Sequence, residues 1–190
     1  MLKQKIARII SEIFSGFFTM MLVPVITLYH SSLGTFSKLV FSLAYILTPM
    51  LPYFVLKAFG KVSDYELTDR KERPPFFTTI SILYGLIFLL SLMYQDTLIQ
   101  TVFLNIFLVS TIITVITYFW KISGHLTYFT LFSVTLIYLF PNNSYLFLLF
   151  LFAPLVAWSR IVLEKHTLTQ TVVGTFLTLL ISVLIYWPFC

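Results

Sequence analysis

Residues 98–119 read LIQTVFLNIFLVSTIITVITYF and contain no charged side chain. A helix of about 20 apolar residues, rising 1.5 Å per residue, crosses the roughly 30 Å hydrocarbon core of a bilayer. Seven stretches of the chain are apolar enough to cross a membrane or nearly so: about 10–29, 37–58, 76–94, 98–119, 124–140, 144–158 and 168–188. The sequence therefore predicts an all-α, polytopic transmembrane protein with about seven spans.

The composition supports a membrane protein with little soluble mass. Hydrophobic residues make up 59% of the 190 residues and charged residues only 10%, whereas a soluble domain carries about 25% charged residues. Most connectors between the apolar stretches are brief, which predicts antiparallel neighbours in an up-down helical bundle. We expect one integral membrane domain over residues 1–190. The single cysteine, Cys190, excludes an internal disulfide.

One connector differs from the others in its charge. Nine of the 19 charged residues lie between Lys57 and Arg73, and a solvated loop of mixed charge is the simplest explanation. This connector follows the second predicted span, residues 121–125 follow the fourth, and residues 159–166 follow the sixth. Since alternate exits from an up-down bundle fall on one face of the membrane, these three polar clusters share a face and can form one composite site.

The three clusters contain short motifs in a fixed order. They read Arg73-Pro74, then Ser123-Gly124-His125, then Ser159-Arg160 followed by His166. This set resembles the three signatures of the type 2 phosphatidic-acid-phosphatase superfamily of membrane lipid phosphatases, and the most specific part is the spacing from Ser159-Arg160 to His166. The resemblance covers roughly residues 57–185. It implies a six-span phosphatase-like core over residues 37–190, preceded by an extra N-terminal span over residues 1–36.

The resemblance also implies a function and two catalytic roles. By the family's pattern, the protein hydrolyses a membrane lipid phosphate or pyrophosphate without a metal or cofactor. His166 attacks phosphorus to form a phosphohistidine, and His125 protonates the departing alkoxide. Histidine suits both roles because its ordinary pKa of about 6.5 lies near the working pH.

Phosphoryl transfer also requires donors around the phosphate oxygens. Guanidinium groups offer planar, bidentate donors, and hydroxyls or an exposed backbone N–H can complete such a cradle. The candidate phosphate-binding residues are Arg73, Arg160, Ser123, Gly124 and Ser159.

Three positions depart from the family's pattern. Glu66 stands where the family has the lysine of the first signature, and Lys61, Lys71 and Lys121 are the candidates to replace that cation. Ile122 replaces a proline. Gln170 replaces the aspartate that supports the nucleophilic histidine, and an amide oxygen can accept the same hydrogen bond but lacks the charge. Either His166 is supported differently in this protein or catalytic activity is lost. A non-catalytic relative that binds anionic lipid or a partner is therefore the alternative. A second alternative is an unrelated transporter or scaffold.

The charge distribution and the motifs present also limit the possible orientation and binding partners of the protein. Lys3, Lys5 and Arg8 precede the first span on the face of the charged connector, so the positive-inside rule puts that face in the cytoplasm. The resemblance implies the outer or lumenal face, and the orientation of the site stays open. We expect a plasma-membrane protein that contacts lipid bilayer and binds no nucleic acid, since no basic stretch is interleaved with aromatics outside a span. No metal site is predicted, because metal-ligand spacings are missing from the sequence.

Overall fold

The computed structural model describes residues 2–189, with only the backbone of Phe189, and Cys190 lies outside it. Within this range the chain forms eight α-helices and three short 3₁₀ helices. The α-helices are α1 (Leu2–Ile13), α2 (Gly16–His30), α3 (Thr35–Ala58), α4 (Arg73–Ser91), α5 (Thr97–Phe119), α6 (Gly124–Leu139), α7 (Ala153–Val162) and α8 (Leu168–Tyr186). The 3₁₀ helices are Arg70–Glu72, Ser144–Phe152 and Trp187–Phe189. No strand occurs in residues 2–189.

The predicted fold class is confirmed. Six helical stretches are long and apolar enough to cross a membrane, and a seventh apolar helix, α6, is shorter. The six stretches are Leu2–His30, Thr35–Ala58, Arg70–Ser91, Thr97–Phe119, Ser144–Val162 and Leu168–Tyr186.

The distribution of side chains is that of a membrane protein. Phe36 is 78% exposed and Phe119 is 81% exposed, whereas the polar residues Asn105, Thr117 and Ser133 are fully buried. Large exposed apolar areas are unstable in water but suit lipid contact, and polar groups in hydrocarbon must find partners inside the protein. The chain is therefore an integral membrane protein built as a helical bundle.

The first span differs in detail from the predicted stretch of residues 10–29. Helix α1 already begins at Leu2, and the helix is interrupted at Phe14 and Ser15 before α2 starts. Hydropathy misses α1 because the helix is amphipathic. Its charged residues are exposed, while Ala7 and Ser11 are buried at 0% and 3% exposure.

The sixth span also begins irregularly. It opens as the 3₁₀ helix Ser144–Phe152 and continues as α7, which has Pro154 in its first turn and runs to Val162. Proline is tolerated there because the first N–H groups of a helix have no intrahelical acceptor. The extension beyond residue 158 carries Ser159 and Arg160 on a regular helix.

The described chain divides into two compact units. The first contains residues 2–23 and 121–189, and the second contains residues 24–120. In the first unit α1 packs against α7, and α6 packs against α8. In the second unit α4 packs against both α3 and α5.

Within the second unit, Asp96 joins two connectors. Its carboxylate accepts hydrogen bonds from the backbone N–H and the hydroxyl of Ser32, both at 2.7 Å, and it caps α5 by accepting from the N–H of Ile99. Burial by itself raises the pKa of the Asp96 carboxyl, but the bonds from the Ser32 hydroxyl and from backbone N–H groups outweigh burial and lower it from 3.8.

Candidate functional site

Three segments of the first unit meet around Arg160. They are the buried face of α1, the start of α6 and the turn between α7 and α8. The backbone N–H of His166 donates to the carbonyl of Arg160 at 3.3 Å, and the N–H of Ser123 donates to the carbonyl of Gln170 at 3.3 Å. One backbone hydrogen bond, from Ser123 to Gln170, thus joins the segments that carry two of the three predicted motifs.

Arg160 lies at the centre of a small polar cluster. Its side chain is only 2% exposed. The Nη1 atom lies 3.3 Å from Nε2 of His125 and donates to Oγ of Ser11. Oγ of Ser11 is itself 3.4 Å from Nε2 of His125. A buried guanidinium, an imidazole nitrogen and a hydroxyl therefore converge on one point.

The spacing between Arg160 and His166 has a local structural cause. Helix α7 ends in a Schellman motif, in which the N–H of Lys165 bonds to the carbonyl of Arg160 and the N–H of Glu164 bonds to that of Ile161. Glu164 occupies the left-handed position of this motif with φ 56°. The chain therefore reverses within four residues and brings His166, which is 7% exposed, back to the end of α7.

His166 is oriented by the start of α8. Its Nδ1 lies 3.0 Å from Oε1 of Gln170, and the same oxygen accepts the backbone N–H of Thr167 at 3.2 Å. Thr167 and Gln170 form a capping box, in which the Thr167 hydroxyl accepts the N–H of Gln170 in return. The sequence predicted that Gln170 can accept the hydrogen bond of His166 without supplying a charge, but it did not predict that Gln170 is also the capping partner of α8.

The capping box assigns the hydrogen on His166. A backbone N–H can only donate, so the Gln170 atom facing Thr167 must be the carbonyl oxygen. Nδ1 of His166 faces that same acceptor and therefore carries the hydrogen. In the neutral imidazole the lone pair then lies on Nε2, which is the ring nitrogen with nucleophilic character.

The start of α6 is clamped between two glycines. A Cβ added to Gly16 would lie 3.0 Å from the carbonyl oxygen of Gly124, and one added to Gly174 would lie 3.1 Å from that of Ser123. Real Cβ atoms make such close contacts with backbone rarely. Glycine at both positions allows α2 and α8 to approach the segment that carries His125.

The remaining predicted residues of the first unit have varied surroundings. Ser123 precedes α6 as its N-cap residue, is fully buried, and its Oγ makes no hydrogen bond within residues 2–189. The hydroxyl hydrogen of Ser159 is used within α7, because it is donated to the carbonyl of Val156 at 2.7 Å. A Cβ on Gly124 would meet nothing nearer than a Tyr128 ring carbon at 4.0 Å, so space is open beside it. Lys121 is half-buried.

Arg73 belongs to the second unit. It is 4% exposed, begins α4 ahead of Pro74, and its Nε donates to the carbonyl of Leu67 at 2.8 Å. Leu67 adopts a positive φ of 51°, and the bond from Arg73 holds the charged connector at that point. Glu66 is half-buried and its N–H donates to the Asp64 carboxylate.

Sequence reasoning missed Ser11, Gly16 and Gly174. Residues 1–36 were expected to form an extra span outside the core, so no role was sought in them. The available signal was weak: Ala7 and Ser11 are small residues four apart, which places them on one face of a helix whose other faces carry charge.

Within residues 2–189, no three side chains of His, Cys, Asp or Glu are grouped so that they could hold a metal ion. No protein-family model, curated protein or solved structure matches the chain significantly.

Proposed function

We propose that this protein is a metal-independent phosphatase of a membrane lipid phosphate or pyrophosphate, a divergent member of the type 2 phosphatidic-acid-phosphatase superfamily, located in the plasma membrane. One observation carries the proposal. Arg160 contacts Nε2 of His125 through its guanidinium, and its backbone carbonyl accepts the backbone N–H of His166, so both histidines of the motifs are held by one buried arginine.

The proposed reaction has two steps. Nε2 of His166 attacks phosphorus, and the bond from phosphorus to the lipid oxygen breaks. His125 gives its proton to the departing oxygen, which leaves as a lipid alcohol or, from a pyrophosphate, as a lipid monophosphate. Water then attacks the phosphohistidine and gives a proton to His125, the P–N bond breaks, and inorganic phosphate is released with both histidines restored.

The chain's own groups supply what these steps require. The Nδ1 hydrogen of His166 is held by Gln170 at 3.0 Å, which leaves Nε2 as the nucleophile. Arg160 provides positive charge in a site shielded from water, where electrostatic stabilisation of developing charge is strongest. The hydroxyl of Ser123 and the N–H of Gly124 are further candidate donors to phosphate. The role of Arg73 in phosphate binding remains a prediction from the motif.

A phosphate-release assay tests this function. Purified protein in lipid nanodiscs should release inorganic phosphate from phosphatidic acid, phosphatidylglycerol phosphate or a polyprenyl pyrophosphate when divalent metals are chelated. His166→Ala should abolish release. The matched control is His30→Ala, because His30 is exposed on the second unit. Activity that persists in His166→Ala refutes the assigned nucleophile.

A non-catalytic lipid-binding relative is the second candidate, and the charge-neutral support of His166 by Gln170 favours it. A carboxylate beside the Nδ1–H group stabilises the cation formed during attack, and replacing such a carboxylate by an amide lowers turnover by about 10⁴ in serine proteases. This candidate predicts that the protein binds a lipid phosphate but shows no turnover even at high protein concentration.

A further inference from the structure

Helix α1 brings one buried hydroxyl into the cluster around His125. Ser11 and Ala7 form the face of α1 that is buried in the first unit, and α1 packs on α7, the helix that carries Arg160. The hydroxyl of Ser11 lies within reach of both Arg160 Nη1 and His125 Nε2. We propose that Ser11 is a positioning residue that holds His125 beside Arg160 in both protonation states of the imidazole.

The hydrogen-bond inventory of the three groups supports this role. A guanidinium nitrogen only donates, so Arg160 must donate to the Ser11 oxygen. A hydroxyl has one hydrogen and two lone pairs. Ser11 can therefore donate to Nε2 when His125 is neutral, and it can accept from Nε2–H when His125 is protonated. Without this hydroxyl, Nε2 faces the Nη1 donor of Arg160 at 3.3 Å.

Loss of the hydroxyl thus favours the neutral imidazole. A donor facing Nε2 stabilises its lone pair, whereas two N–H groups facing each other repel. Arg160 is a charged group in contact with His125, and α8 carries no charged residue. The charged residues of α1 lie on its exposed faces: Lys3, Lys5, Arg8 and Glu12.

The catalytic meaning of this inference rests on the proposed function, because a general acid must carry its proton at the working pH. Its physical core can be measured without turnover. Protein labelled with ¹⁵N-histidine would be titrated by NMR in nanodiscs, and the His125 signals would be assigned by their loss in His125→Gln. Ser11→Ala should lower the midpoint of the His125 titration by about one pH unit.

Two further variants separate positioning from packing. Ser11→Thr keeps the hydroxyl and should restore the His125 midpoint to the wild-type value. Thr19→Val is the control, because Thr19 is a buried hydroxyl of the same unit that bonds to the backbone carbonyls of Ser15 and Gly16. This variant should leave the midpoint unchanged. An unchanged midpoint in Ser11→Ala overturns the inference.

The activity of the same variants distinguishes the two proposals. If the wild type releases phosphate, the alkaline limb of its pH–rate profile should move to lower pH in Ser11→Ala together with the NMR midpoint. A shifted midpoint in a protein without turnover supports the role of Ser11 and refutes the phosphatase. If the protein releases phosphate but Ser11→Ala leaves the His125 midpoint unchanged, the proposed role of Ser11 is refuted and the phosphatase proposal is not.

Discussion

At the scale of single residues, Gln170 serves two structures with one oxygen. Oε1 accepts the N–H of Thr167, which caps α8, and the Nδ1–H of His166, which sets the imidazole. Glutamate satisfies a capping box as well as glutamine does. The position therefore tolerates a carboxylate without loss of the cap.

Gln170→Glu should raise turnover by at least about tenfold, because a charged acceptor stabilises the imidazolium character that His166 gains as it attacks phosphorus. Gln170→Ala is the complementary variant. It removes the hydrogen bonds to Thr167 and His166, and it should lower turnover and destabilise the protein by about 1 kcal/mol. The measurement is phosphate release in nanodiscs, beside unfolding in mixed micelles. A fall in turnover in Gln170→Glu at unchanged stability would contradict the assigned orientation of His166.

The backbone conformation of Glu164 is unfavourable for a residue with a side chain, and the sequence alone does not reveal this. It occupies the left-handed position of the Schellman motif after α7 with φ 56°, whereas the equivalent position after α3 is Gly60 with φ 67°. Glu164→Gly should therefore stabilise the folded protein by about 0.5–1 kcal/mol, and Gly60→Ala should destabilise it by a similar amount. Unfolding curves of both variants check this, and an opposite sign for either would show that the turn is not held as described.

At the scale of elements, helix contacts decide where the functional segments lie. Helix α8 reaches α6 closely only because Gly174 has no side chain. The same contact brings Gln170 to Ser123, whose N–H donates to the Gln170 carbonyl.

Gly174→Ala should cost about 1–3 kcal/mol of stability, because the added Cβ meets backbone that cannot move aside cheaply. Activity should fall further than stability alone explains, since the partners of His166 shift away from His125. Gly34→Ala is the control, because a Cβ there meets nothing within 4 Å. Unfolding and phosphate release are the readouts, and wild-type values in Gly174→Ala would rule out the tight contact.

Asp96 provides a test of the second unit that is independent of catalysis. Its pKa is lower in the folded protein than the ordinary 3.8, so the ionised carboxylate stabilises the fold above pH 3.8, and this stabilisation is lost as pH falls through the lower folded value. Asp96→Asn should destabilise the protein by about 0.3–1 kcal/mol at pH 7. The difference from wild type should shrink below pH 4, and a difference that grows there would contradict the assigned bonds.

At the scale of the whole molecule, apolar stretches predicted the helices well because hydrocarbon admits few alternatives to a helix. The stretch 98–119 corresponds closely to α5, and even the irregular sixth span ends as a helix. The break at Phe14 and Ser15 could not be predicted, because apolar residues lie on both sides of it, and the close contact of Gly16 with Gly124 beside it is seen only in the structure. Contacts between helices are invisible in hydropathy.

Only those residues of the candidate site that belong to a sequence motif could be predicted. The spacing of Arg160 and His166 indicated a shared location, and the Schellman turn supplies its physical cause. Ser11 escaped prediction because a lone serine on an amphipathic helix carries no chemical signal until its partners are known. The fixed hydrogen on His166 required coordinates, since it depends on the direction of the Thr167 N–H.

The most direct test of the central claim is to trap the phosphorylated protein. Nanodisc-embedded protein would be mixed with ³²P-labelled lipid phosphate, quenched within one turnover, and examined by mass spectrometry at neutral pH. We expect phosphate on the imidazole of His166 in the wild type and none in His166→Ala. With a substrate whose leaving group is good enough to depart without a general acid, His125→Gln should carry more phosphate on His166 than the wild type does. Turnover without phosphate on His166, or phosphate on another residue, would contradict the proposed mechanism.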